Sequence, residues 1–108
     1  MERHALLVLG RAAPGREDEF FAWYDKEHIP EALAQPGMIR GARFDVRWVQ
    51  GAEALPQWQY ATIFEVDAED PEAAIANMRA AVRDGQIAMA DAVDRSSLAI
   101  MSLGRATD

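Results

Sequence analysis

One segment concentrates the side chains that can move a proton. Residues 23–38 read WYDKEHIPEALAQPGM and hold one of the chain's two histidines, His28, with Tyr24, Asp25 and Glu27 close by. Imidazole has an ordinary pKa near neutrality, which suits it to general acid/base chemistry. On a helical wheel at about 100° per residue, Trp23, Phe20, Tyr24 and Phe21 form one arc and His28 falls inside it. Tyr24 lies one turn before the histidine and Asp25 three residues before it, so both are within reach. Two readings are open. In one, His28 is an acid/base at a cavity mouth, with Tyr24 or Asp25 orienting its ring or sharing its proton. In the other it is a buried histidine that ends a helix, with its ring N–H capping a carbonyl and any positive charge favoured by the dipole.

Other reactive groups are few. The chain has no cysteine, which removes disulfides, thiolate catalysis and zinc–thiolate sites together. Two separated histidines make no metal cluster, and neither a metal nor another cofactor is expected. There is no glycine-rich phosphate loop. Ser96-Ser97 has no neighbouring base or nucleophile elbow, and His4, at the edge of an apolar run, reads as structural. The formal net charge of −7 argues against nucleic acid as a partner, because an acidic chain repels phosphate backbones. No polybasic segment suits an anionic membrane surface. The longest apolar run, residues 5–10, is too short to span a bilayer or to serve as a signal-peptide core. A soluble, cytoplasmic protein is the expectation.

The elements that must hold this segment follow from period and punctuation. At 108 residues the chain reads as one domain, 1–108, of ordinary globular composition. Residues 5–9, ALLVL, form a strand apolar on both faces. Pro14-Gly15 breaks the chain, and Glu17, Asp18 and Glu19 open a helix whose positive end they suit. The helix is expected to stop near His28, because Ile29 precedes Pro30 and is pushed out of the α region. Pro30 then opens a second short helical piece, residues 31–35, before the Pro36-Gly37 turn.

Residues 38–50 alternate, with Ala42, Phe44, Val46 and Trp48 on one face and Arg43, Asp45 and Arg47 on the other. A loop at 51–56 leads to a third strand, 57–66, with Trp58, Tyr60, Thr62 and Phe64 on one face. Asp70-Pro71-Glu72 starts a helix with Asp as N-cap, and Ala74, Ile75, Met78, Ala81 and Val82 form its core stripe. Asp84-Gly85 ends it. Residues 87–93 are a candidate helical turn, and 97–103 a fourth strand. The order is β-α-β-β-α-β, an α+β chain with a four-stranded antiparallel sheet and two helices on one face.

Two helices cover one face of such a sheet, yet the strands carry apolar residues on both. An uncovered apolar face of many hundreds of Å² exceeds what soluble monomers tolerate. A second copy of the chain, packed sheet to sheet, is the simplest cover, and a homodimer is expected. Two curved sheets can enclose an aromatic-lined cavity suited to an apolar or aromatic small molecule. Trp23, Phe44, Tyr60 and Phe64 are the candidates to line it. Arg43 and Arg47 read as solvated edge charges, although either could hold a substrate carboxylate if its face turned into the cavity. Trp48 and Trp58 read as hairpin neighbours closing the core, or as a cavity lid.

The segment WYDKEHIP resembles the W-Y-x-x-x-H-x-P signature of EthD-like proteins in the dimeric α+β-barrel superfamily. APGREDEF, GARFDV, YATIFEV and the D-P-E helix start agree with it, so the resemblance covers nearly the whole chain. It implies a ferredoxin-like fold, a dimer formed by facing sheets, and a cofactor-free site between sheet and helices. It also implies chemistry on ring compounds, such as cyclisation, decarboxylation, lactone isomerisation or cofactor-independent oxygenation, although many relatives have no known activity. The signature tyrosine corresponds to Tyr24 and the histidine to His28. Relatives that degrade haem or oxygenate quinols use an Asn near the N-terminus or a His on the second helix. This second helix has Asn77 but no His, which argues against haem degradation.

Overall fold

The computed structural model describes residues 2–51, 58–85 and 92–104. Strand β1 (Glu2–Gly10) leads to helix α1 (Glu17–Trp23), a π-helical turn (Tyr24–His28) and helix α2 (Ile29–Leu33), three segments that run on without a break. Strands β2 (Met38–Asp45) and β3 (Tyr60–Ala68), helix α3 (Pro71–Arg83), a single 3₁₀ turn (Arg95–Ser97) and strand β4 (Ala99–Gly104) complete the order. All four strands join one antiparallel sheet in the order β2-β3-β1-β4. This is the α+β architecture expected from the alternation of periods.

β3 shows how the sequence divides the two faces. Tyr60, Thr62, Phe64 and Val66 are buried under the helices, whereas Ile63 between them is 46% exposed. That is the period of two of a strand with one covered face. The helix side carries two core clusters. Leu6, Phe64 and Val66 pack with Ala32 of α2 and with Ala74, Ile75, Met78 and Ala81 of α3. Tyr60 packs with Phe20 of α1, Tyr24, Ala12, Ala92 and Val93. Two glycines exist because aromatic rings lie on them. A Cβ at Gly10 would stand 2.7 Å from the Tyr60 hydroxyl, and one at Gly41 would stand 2.6 Å from the Phe64 ring.

α3 starts as its sequence dictates, with the Asp70 carboxylate accepting from the Ala73 N–H at 3.1 Å and Pro71 at the first position. The first helix does not stop where Pro30 suggested. Ile29 keeps right-handed helical angles (φ −60°, ψ −48°), and its N–H reaches back five residues to the Tyr24 carbonyl. Proline lacks the donor an α-helix needs, and its ring crowds the carbonyl four residues earlier. A wider turn closed by five-residue bonds makes room for it, so the chain passes Pro30 without leaving the helix.

Three further expectations change. β2 ends at Asp45 rather than at residue 50; Val46 N–H still bonds Gln59 O at 3.0 Å, and Trp48 lies 76% exposed beyond the sheet. The two tryptophans therefore do not close the core as a pair, and Trp58 instead donates its indole N–H to the Ser97 carbonyl at 2.8 Å. β4 begins at Ala99, because Asp94 accepts from Ser96 N–H and folds residues 95–97 into the 3₁₀ turn. Ser97 is structural: its hydroxyl accepts from Arg11 N–H at 2.9 Å and donates to Asp94 O at 2.6 Å. The expected loop at 51–56 and helical turn at 87–93 fall largely outside the described residues, although Val93 pairs with Ala12 in an isolated bridge.

The sheet face away from the helices is apolar and open. Phe44 is 53% exposed, Met101 42% and Leu103 45%. With Ile63 they span three strands, and register places Leu7 between Ile63 and Met101. No helix among the described residues is long and apolar enough to cross a membrane.

Candidate functional site

A cavity of about 170 Å³ lies between helices and sheet, where the two core clusters meet. Phe20, Trp23, Tyr24 and His28 supply one wall and Met78, Arg79 and Val82 of α3 another. The sheet supplies the floor through Val8, Tyr60, Phe64 and Ile100. This cavity lies within one chain, on the helix side of the sheet. Sheet residues with their rings turned toward the helices decide this, because the period of β3 sends Tyr60 and Phe64 there together.

The π-helical turn sets the geometry around His28. In a regular α-helix Trp23 and His28 would be about 140° apart and could not touch. In a turn closed by five-residue bonds they come into line. The indole and imidazole stack with centroids 5.0 Å apart and planes 30° apart. The Tyr24 ring lies beside the imidazole, 4.8 Å away, and 6.1 Å from the indole. His28 is 9% exposed, packed against both rings and part of the cavity lining.

The two tyrosines are neutral phenols. Burial pushes the Tyr24 hydroxyl up to about 12, against the opposing effects of its Thr62 hydrogen bond and the Arg43 charge. That bond is 2.7 Å long between two buried hydroxyls, either of which can donate. Burial, and then the neighbouring Tyr24, push Tyr60 upward as well. The rings of Tyr24 and Tyr60 are 5.0 Å apart.

Asp25 and Arg43 form a separate pair beside this wall. Arg43 Nε and Nη2 donate to the two Asp25 oxygens at 2.7 and 3.0 Å, and Nη1 donates to Asp45 at 2.8 Å. The guanidinium also lies 4.5 Å above the Phe21 ring. The Arg43 bond holds the Asp25 carboxyl below its usual range, and the Asp25 bond raises Arg43. Asp25 belongs to the π-helical turn and Arg43 to β2, so the pair ties the turn to the sheet. The carboxylate that spacing placed beside His28 turns to Arg43, and Arg43 is no solvated edge charge.

Of the candidates named from sequence, Trp23, Tyr24, His28, Tyr60 and Phe64 are brought together in the cavity lining. Asp25 and Arg43 flank it without lining it. Phe44 lies on the opposite face of the sheet, because its neighbour Arg43 takes the helix side. Thr62 and Arg79 were not anticipated. Thr62 shares the face of Tyr60 and Phe64, a signal that was present. Arg79 follows Met78 and sits four residues after Ile75 and three before Val82, on the flank of the apolar stripe. Among the described residues no group of three His, Asp or Glu side chains is spaced for a metal ion.

No family model matches the chain, and no curated protein is similar to it. Solved structures that share its fold include the following two. An ethyl tert-butyl ether D (EthD) family protein from Bacillus halodurans C-125 superposes with a TM-score of 0.62 at 16% identity, covering 95% of this chain and 98% of that one. A dimeric ferredoxin-like protein of unknown function from Thermobifida fusca YX gives a TM-score of 0.52 at 16% identity, covering 96% and 92%. The chain thus has the ferredoxin-like α+β fold of an EthD family protein, as the WYDKEHIP segment implied.

Proposed function

We propose that this chain is a homodimeric protein that binds a small cyclic compound in the helix-side cavity and moves a proton on it with His28. One observation carries the reading: an apolar cavity of about 170 Å³ has an imidazole and a phenol in its wall. Engineered apolar cavities of roughly 150 Å³ take up benzene, so the natural occupant is about one ring in size. The imidazole takes a proton from a carbon next to a carbonyl and returns it to another carbon of the same molecule. Electrons and protons balance with no cofactor. Tyr24, kept protonated by burial, donates to the oxygen that gains charge while Thr62 donates to Tyr24. Isomerisation takes this whole course. Cyclisation and elimination share its first half, after which the carbanion closes a ring on a second carbonyl or expels a leaving group. The imidazolium then returns the proton to that oxygen or leaving group. Asp25 acts indirectly, by anchoring the turn that carries both rings.

A second copy covers the open sheet face. The exposed Ile63, Phe44, Met101 and Leu103 supply an apolar centre of the kind that homodimer interfaces bury. The dimeric ferredoxin-like neighbour supports this arrangement.

The test is proton exchange. Monocyclic ketones and lactones are incubated in D2O with wild type and His28→Gln, and loss of carbon-bound protons is followed by NMR. Wild type is expected to accelerate exchange on at least one ring, and His28→Gln to lose roughly 10²- to 10⁴-fold. Equal rates in both proteins would remove the histidine's role. Ring binding with no exchange in wild type would instead favour a binding protein without turnover, a reading supported by the engagement of the Tyr24 hydroxyl with Thr62.

A further inference from the structure

Fourteen residues line the cavity, and two of them, Arg79 and Ile100, are exposed. They mark its mouth, between α3 and the edge strand β4. Arg79 is also the one Lys or Arg in the lining. Its surroundings set it apart from five other arginines of this acidic chain. Arg11, Arg16, Arg40, Arg43 and Arg83 each have a carboxylate partner. Arg79 has none among the described residues. On its own helix the position one turn before it is Ile75 and the position one turn after it is Arg83, so no acid answers it locally. A cation with no carboxylate partner among the described residues, at the opening of a low-dielectric cleft, draws an anion to that opening.

We propose that the occupant is a small cyclic acid, with its ring in the cavity and its carboxylate outside on Arg79. This rests on the reading of the cavity as a ring-binding site and adds the charge and the orientation of the ligand. The acid group points out between α3 and β4, and the far side of the ring points in toward Tyr24 and His28. The carboxylate role that the sequence left open for Arg43 or Arg47 passes to Arg79, because Arg43 already serves two aspartates. A guanidinium suits the task, since its planar donors match a carboxylate in pairs.

The test compares three probes of one ring size, benzoate, benzyl alcohol and toluene, by calorimetric titration at low ionic strength and pH 7. Wild type is expected to bind benzoate roughly fivefold to tenfold more tightly than benzyl alcohol, the range of a charge-assisted contact near the surface. That preference should shrink as salt is added. Arg79→Gln should erase the preference for benzoate over benzyl alcohol whatever its effect on toluene affinity, and Arg79→Lys should keep part of it. If the rings bind with no preference for the acid, or if Arg79→Gln keeps the preference, this inference falls and the cavity reading stands. If none of the three rings binds, both fall.

Discussion

The hydroxyl pair formed by Tyr24 and Thr62 invites a perturbation whose size can be worked out beforehand. Tyr24 is 3% exposed and Thr62 0%, and their oxygens are 2.7 Å apart. Tyr24→Phe deletes one partner and leaves the Thr62 hydroxyl buried, at a cost of about 1–2 kcal/mol. Thr62→Val does the converse with little change of shape. Replacing both partners by apolar groups is close to neutral, because no orphan remains. The single changes should therefore not add. A double-mutant cycle is expected to return a coupling of about 2–4 kcal/mol, the sum of the two single costs, and each single change should lower the melting temperature by roughly 4–8 °C per kcal/mol. Urea denaturation followed by tryptophan fluorescence measures this, at one fixed protein concentration so that association does not enter. If the single effects add to within about 0.3 kcal/mol, the two hydroxyls do not satisfy one another and the account of this wall is wrong.

Two further outcomes follow from the same structure. The Tyr24 phenol is raised from 10.0 to about 12 by burial, so between those values the unfolded chain has lost its proton and the folded chain has kept it. Stability contributed by the neutral phenol is whole below pH 10 and falls as pH rises toward 12, by about 2–3 kcal/mol. Equilibrium unfolding from pH 9 to 12 should show that slope, and Tyr24→Phe should make it shallower; an equal slope in both proteins refutes the assignment. On the other face, Ile63→Asp would bury two charges in a symmetric sheet-to-sheet contact. It should weaken association by about two orders of magnitude, read by light scattering at micromolar concentration. A wild-type chain that is already monomeric there would refute the dimer.

The elements were largely legible because their signals are local. Asp70-Pro71-Glu72 begins α3 in fact, and the alternation of Tyr60, Thr62, Phe64 and Val66 sorts the residues of β3 onto the correct faces. The site was legible in part. His28, Tyr24, Trp23, Tyr60 and Phe64 meet as rings on one apolar arc and one strand face do. Asp25 and Phe44 stand outside this cavity for different reasons. Three-residue spacing allows contact but does not choose between a histidine on the same helix and an arginine across on the sheet. A bidentate guanidinium prevails because it satisfies both carboxylate oxygens at once. Phe44 is a cavity candidate only for a pocket between facing sheets. Strand period puts Phe44 and Arg43 on opposite sides, so only one could reach a site on the helix side. The π-helical turn left no signature except Pro30, read as a stop when it is also compatible with a wider turn.

That turn explains why histidine and aromatic wall form a unit. Bonds closing over five residues bring Trp23 above His28, keep Tyr24 beside it, and let the helix continue past Pro30. Asp25, in the same turn, is tied by Arg43 to β2. The arrangement is built from one chain alone, and every residue in it lies on the helix side of the sheet. The proposed association on the opposite face and the proposed ligand capture on this one are thus separable. Should Ile63→Asp yield a folded monomer, it is expected to retain the cavity and the stacked histidine. Loss of ring binding in such a monomer would mean that the second copy shapes the site through the sheet.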